Sequence, residues 1–197
     1  MPEPMPASSA ASTSRPIVVG ISGGSGMAYA IDTLHSLRHH AVSSHLVVSN
    51  GAKQVIASEL EQNLKDIELL ADEVHQDRNL GASIASGSFL TRGMVVVPCS
   101  AGTLAKIAHG FTDTLLTRAA HVTLKERRPL ILVVREAPYP RAMLQNMLSA
   151  HDAGAIIVPA SPGFYQRPET VADMVASITA RVLDLLGVDN SYAPRWS

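Results

Sequence analysis

Hydrophobic positions along this chain come in short blocks rather than in alternation. Ile17–Ile21 (IVVGI), Ser44–Ser49 (SHLVVS), Met94–Pro98 (MVVVP), Leu130–Arg135 (LILVVR) and Ala155–Pro159 (AIIVP) are near-continuous apolar runs rich in Val and Ile. Such runs are the pattern of strands covered on both faces. Between them the apolar positions recur every three or four residues, as in an amphipathic helix. These helical stretches are Met27–His40, Ala52–Ala71, Ala101–His109, Thr114–Arg128, Pro140–Asp152 and Glu169–Gly187. Ala52–Ala71 is read as one helix, with apolar residues at 55, 56, 60, 64, 67, 69 and 70. Ser100 is expected to cap one helix and Asp113 the next, while Gly110, Gly154 and Gly187 are stops and Pro129 ends the 114–128 helix. A short strand is expected at Glu73–His75, and Ser83–Leu90 is left unassigned.

Strands alternating with helices predict an α/β fold: a doubly wound, mainly parallel sheet of five or six strands covered on both faces in a three-layer sandwich. Ligands of such sheets bind beyond the carboxyl ends of the strands. Those ends carry the SGGSG turn at Ser22–Gly26, Ser49-Asn50, Pro98-Cys99-Ser100, Arg135-Glu136 and the loop that contains Gly163–Arg167. The first of them, a glycine-serine turn between a strand and a helix, is a natural cradle for an anion.

Composition narrows the possibilities. At 197 residues the chain is long enough for one substantial core, and its formal net charge of −1 gives no global pull toward nucleic acid. The one cysteine, Cys99, excludes an intramolecular disulfide, and its apolar strand context is that of an inert thiol. No apolar run reaches the ~20 residues needed to span a membrane. Residues 1–16 are rich in Pro, Ser and Ala and are expected to be a disordered leader, followed by a single domain over 17–188 and a tail over 189–197. A cytoplasmic location is expected.

The turn itself fits three known phosphate or nucleophile motifs poorly. Gly20–Gly24 matches the G-x-S-x-G elbow of α/β-hydrolases, but it sits on the first strand, where no oxyanion loop precedes it. Ser22 occupies the second-glycine position of the dinucleotide fingerprint, and Ser49-Asn50 replaces the acid that would bind a ribose. A Walker lysine is absent. A monophosphate such as FMN suits a serine-rich turn better. Ser100 and Thr103 form a second strand-turn-helix anion site on the same rim. His35 and His39 are spaced i,i+4 without a third ligand, and no metal centre is expected. Lys125–Arg128 by spacing alone is a solvated helix C-terminus, with Arg118 seven residues earlier on the same face.

The segments GISGGSG, SGSFLTRGMVVVPCSAGTL, LLTRAAHVTLKERRPLILVVREAP and GAIIVPASPGFYQRPETVADMV together resemble the UbiX-like flavin prenyltransferases over about Ile17–Gly187. The resemblance implies a flavodoxin-like or Rossmann-like sheet and transfer of a dimethylallyl group from dimethylallyl phosphate to N5 and C6 of reduced FMN without a metal. It implies that the prenylated FMN goes to a UbiD-type decarboxylase, and that the chain assembles as a homo-oligomer, a dodecamer in the family. Carried over by motif, Gly23, Gly24, Ser25, Ser49, Ser100, Ala101, Gly102, Thr103 and Arg135 would hold the flavin. Lys125, Tyr165 and Arg181, with Arg118, would grip the prenyl phosphate, and Ser25, Glu59, Glu136 and Lys125 would serve the chemistry. An FMN-dependent decarboxylase of a small carboxylic acid and a non-catalytic FMN carrier are the competing readings. Relatives often have GASG where this chain has Gly23–Gly26, an aspartate at His121, a lysine at Asn50 and, in some, a tryptophan at Leu80.

Overall fold

The computed structural model describes residues 15–165 and 167–190. Among these residues six strands form one sheet: β1 (Ile17–Ile21), β2 (Ser44–Val48), β3 (Glu73–Gln76), β4 (Gly93–Cys99), β5 (Leu130–Val134) and β6 (Ile156–Pro159). Their order is β3-β2-β1-β4-β5-β6, and every neighbouring pair is parallel. This is the 3-2-1-4-5-6 order of doubly wound sheets, whose switch point lies between the first and fourth strands. Strands β1, β2, β4 and β5 are buried along their whole length, as their unbroken apolar runs require. The edge strand β3, EVHQ, buries only His75, which suits a strand with one covered face.

Among the described residues seven helices flank the sheet: α1 (Met27–His39), α2 (Asn50–Glu59), α3 (Leu64–Glu68), α4 (Ala101–Ala108), α5 (Leu115–Lys125), α6 (Arg141–Asp152) and α7 (Val171–Leu185). Alternation along the strands divides the core in two. Ile17, Val19 and Ile21 face one layer with Leu34 of α1, Ile56 of α2 and Val182 of α7. Val18, Met94 and Val96 face the other with Leu104 of α4, Leu116 of α5 and Met143 of α6. The α1–α2–α7 and α4–α5–α6 layers are therefore separated by the sheet. No helix among the described residues is long and apolar enough to cross a membrane.

Three local expectations are corrected. The stretch Ala52–Ala71 is two helices, because Leu60 turns extended (φ −122, ψ 148) and Asn63 opens a new helix. The Asn63 carboxamide accepts from the Lys65 and Asp66 N–H groups, and the Asp66 carboxylate accepts from the Asn63 N–H, a reciprocal cap that restarts the backbone ladder. Thr114, not Asp113, caps α5, in a box with Thr117, while Asp113 pairs with Lys106 at 2.6 Å. That helix stops at Lys125, with Arg127 at a positive φ of 55. Ser83–Ala85 is a single 3₁₀ turn. The expected disorder of residues 1–16 and the far end of the tail lie outside the described residues, Arg15 and Pro16 apart.

Candidate active site

The turn after β1 and the turn after β4 meet at the switch point, and Ser22 joins them. Its fully buried hydroxyl donates to the Pro98 carbonyl at 2.9 Å and accepts from the Ser100 N–H at 2.7 Å. The Ser22 N–H donates to the same Pro98 carbonyl at 3.2 Å, beside the register shift between Val96 and Cys99. The serine that departs from the dinucleotide fingerprint thus ties two ligand-binding turns into one floor. Cys99, beneath that floor, is fully buried, and burial pushes its thiol up to about 12. It is a packing residue and not a nucleophile.

Ser49 and Ser100 cap the helices that start at this rim. The Ser49 hydroxyl accepts from the Ala52 N–H at 3.1 Å. The Ser100 hydroxyl accepts from the Thr103 N–H at 3.3 Å and donates to the Thr103 hydroxyl at 3.1 Å. The α4 ladder begins with the Leu104 N–H on the Ser100 carbonyl, so the N–H groups of Ala101 and Gly102 precede it. Both residues are exposed, and a Cβ built on Gly102 would meet nothing within 4 Å. An open helix N-terminus with small residues fits the phosphate of FMN.

The head of α1 is organised differently from what the sequence predicts. Gly26 begins the helix at φ 112, without a side-chain cap and with no acid in the first turn. Glu59, the last residue of α2, supplies the anion instead. Its Oε2 accepts from the Gly26 and Met27 N–H groups at 3.0 Å each. The anion expected at this helix terminus is therefore the chain's own carboxylate, and α4 offers the open terminus. Burial pushes the Glu59 carboxyl up, yet the Ser25 hydroxyl, the two N–H groups and the Arg135 guanidinium together hold it below its ordinary value. Arg135, at the end of β5, also donates from Nε to the Ser25 carbonyl at 3.3 Å. Glu136 lies 4.0 Å from the Arg135 guanidinium and accepts from the Ala137 N–H at 3.1 Å. Ser25 is thus held at both its hydroxyl and its carbonyl.

Glycine has a steric reason at one of the two central turn positions. A Cβ on Gly23 would sit 3.0 Å from the Gly51 carbonyl carbon, where α2 begins, whereas one on Gly24 would make ordinary 3.5 Å contacts with Pro98 and Ser100. Gly51 is a partner that the sequence pattern did not single out.

Gly23, Gly24, Ser25, Ser49, Glu59, Ser100, Ala101, Gly102, Thr103, Arg135 and Glu136 all fall on this rim. Tyr165 lies on the same end of the sheet, in the exposed loop after β6. The other predicted phosphate ligands do not join them. Helix α5 starts at the rim, where the Leu115 and Leu116 N–H groups donate to Asp77, and runs down the sheet. Arg118 is exposed one turn along it. Lys125 stands at its far end, ion-paired with Glu126 and close to Gly87. Arg128, next to it, is a structural clamp that donates to the carbonyls of Phe89 at 2.8 Å and Gly87 at 2.6 Å. Arg181 is on an exposed face of α7, on the opposite side of the sheet from α5, ten residues or about 15 Å from the helix start. One chain does not bring Lys125, Tyr165 and Arg181 around a common point.

A Rossmann-ordered sheet with two turns joined at its switch point, the second of them leading into an open helix N-terminus, is the architecture of a nucleotide-type cofactor site, and residues 5–182 match the family model described as Flavoprotein. Over 180 residues the chain is 60% identical to the flavin prenyltransferase UbiX of Deinococcus radiodurans, covering 91% of this chain and 92% of that one. The crystal structure of AnUbiX (PadA1) in complex with FMN and dimethylallyl pyrophosphate superposes with a TM-score of 0.91 at 42% identity, covering 93% of this chain and 97% of that one. A dodecameric FMN-dependent UbiX-like decarboxylase from Escherichia coli O157:H7 gives a TM-score of 0.89 at 44% identity over 92% of this chain and 99% of that one. The chain belongs to the UbiX flavin prenyltransferase family.

Proposed function

We propose that this protein binds reduced FMN on the β1/β4 rim and transfers to it the dimethylallyl group of a dimethylallyl phosphate ester. The observation that carries the reading is the Ser25–Glu59–Arg135 network standing over the switch point, beside the open N-terminus of α4. The flavin, when bound, supplies the nucleophilic N5 and C6 atoms.

The chain's own residues divide the remaining work. The N–H groups of Ala101 and Gly102, with the hydroxyls of Ser49, Ser100 and Thr103, bind a phosphate at helix N-termini. Gly23 and Gly24 keep the turn low enough for a flat ring to lie against backbone. Ser25 Oγ donates to Glu59 and keeps lone pairs directed elsewhere. It can therefore accept a proton at the reacting nitrogen and pass it to the ionised Glu59 carboxylate. Glu136 offers a second carboxylate for the ring-carbon proton. Loss of a phosphate from an allylic carbon without a metal needs cationic and hydroxyl donors around the leaving group. Lys125, Arg181 and Tyr165, with Arg118, are assigned to it.

Those ligands are scattered in one chain, so neighbouring subunits of a homo-oligomer are required to complete the grip, in keeping with the dodecameric relative. The product is destined for a UbiD-type decarboxylase. The test is anaerobic incubation of the protein with reduced FMN and dimethylallyl monophosphate, followed by mass spectrometry of the extracted flavin. A flavin heavier by one C5 unit is the expected result. No adduct, together with CO₂ release from a small carboxylic acid, would replace the proposal with the decarboxylase reading.

A further inference from the structure

A second cluster of chemically capable side chains lies away from the rim, between β2 and the edge strand β3. The parallel register sets His45 opposite Glu73 and Val47 opposite His75. Residues two apart share a face, so His45, Glu73 and His75 all project from one side of the ladder. His45 Nδ1 lies 2.9 Å from His75 Nε2. Glu73 reaches both rings, with one oxygen 3.4 Å from His45 Nε2 and the other 3.4 Å from His75 Nε2. One donor atom from each residue can be chosen so that all three lie within 4.8 Å of one another.

The surroundings suit a cation better than an ordinary polar contact. His45 and His75 are only 7% and 8% exposed, whereas the Glu73 side chain is 54% exposed and opens the cluster to solvent. The Phe89 ring covers His45, with the centroids 5.2 Å apart. Two imidazoles facing each other at 2.9 Å can share only one hydrogen bond between those nitrogens, whereas each ring can offer a lone pair to a cation. Asp72, the next carboxylate, is already taken by the Ser44 N–H at 2.8 Å and hydroxyl at 3.3 Å. Two imidazole nitrogens and one carboxylate are a familiar donor set for Zn²⁺, with water as the fourth ligand. In a tetrahedral site their donor atoms stand about 3.3 Å apart.

We propose that His45, Glu73 and His75 form a divalent-cation site, best matched to Zn²⁺, that clamps the edge strand β3 to β2 and steadies the segment carrying Phe89. The site is two strands from the β1/β4 switch point and plays no part in the transfer chemistry. Its role is to fasten an edge strand that otherwise buries one residue of four.

The full-length protein, stripped with EDTA and dialysed, is titrated with Zn²⁺ alone and separately with Co²⁺. One equivalent of Zn²⁺ per chain is expected, with a rise in Tm of several degrees at saturating metal. Co²⁺ is expected to give the visible d–d bands of a four-coordinate ion. His75→Ala should lose the site, weakening binding on the order of a hundredfold, and Glu73→Gln should weaken it about tenfold. Because Glu73 is largely exposed, the Glu73→Gln protein provides the decisive comparison even where His75→Ala fails to fold. Binding equally tight in Glu73→Gln and parent would place the metal elsewhere, for instance at the exposed His35 and His39 of α1, and overturn the proposal. So would the absence of stoichiometric binding, which would leave a pair of imidazoles sharing a proton.

Discussion

Ser22 and the two glycines after it carry separable physical burdens. Replacing Ser22 by alanine removes a buried donor and a buried acceptor at once, which leaves the Ser100 N–H without its 2.7 Å partner. The expected cost is about 1–3 kcal/mol in denaturant unfolding, with weaker flavin retention because the β1 and β4 turns come apart. Gly23→Ala drives a Cβ against the Gly51 backbone and should cost a similar about 1–3 kcal/mol, since backbone cannot move aside as a side-chain tip can. Gly24→Ala, in contrast, fits at ordinary contact distance and should change stability by no more than about 0.5 kcal/mol. Flavin titration and urea melts of the two variants distinguish a turn that needs both glycines from one that needs only the first. The GASG form common in relatives places its alanine at the tolerant position.

Among the elements, the strands were legible because burial on both faces leaves an unbroken apolar run. Helix boundaries were less so. The break at Leu60–Asn63 hides inside a periodic pattern, and its one local signal is the Asn63-x-x-Asp66 capping box. The Glu59 contact has no local signal at all, because it joins residues 33 positions apart. The rim motifs could be read from strand ends, while the cap of α1 by α2 and the His45–Glu73–His75 cluster needed the strand register and loop path. Glu59 makes that tertiary cap testable. Its folded pKa lies below the unfolded one, so its stabilising effect is complete above the ordinary glutamate value and is lost as pH falls through the folded value. Glu59→Gln should therefore melt below the parent at pH 7, by about 0.3–1 kcal/mol in keeping with an exposed charge at a helix terminus. The gap should close in acid, below the usual carboxylate range. A gap that persists unchanged at low pH would show that shape, and not charge, holds α1.

At the scale of the whole molecule, the separation of Lys125 and Arg181 by the sheet is the feature that most constrains function. Leu144 and Leu148 of α6 and Phe111 after α4 are also 51–61% exposed in the single chain, an apolar surface suited to burial between copies. Lys125→Ala should keep its bound FMN and lose turnover, because Lys125 stands far from the flavin rim; Arg181→Ala should do the same. If one phosphate is gripped by Lys125 of one subunit and Arg181 of another, the two inactive proteins complement each other. Unfolded together in equal amounts and refolded, they would form mixed oligomers in which about a quarter of the sites combine an intact lysine with an intact arginine. Activity near that fraction of the parent, measured as C5-flavin formed per chain, is the expected outcome, with none from either variant refolded alone. No recovery from oligomers shown to be mixed would mean that a single chain must supply both residues to each site. Since the sheet lies between those residues, that result would remove one of them from the phosphate grip.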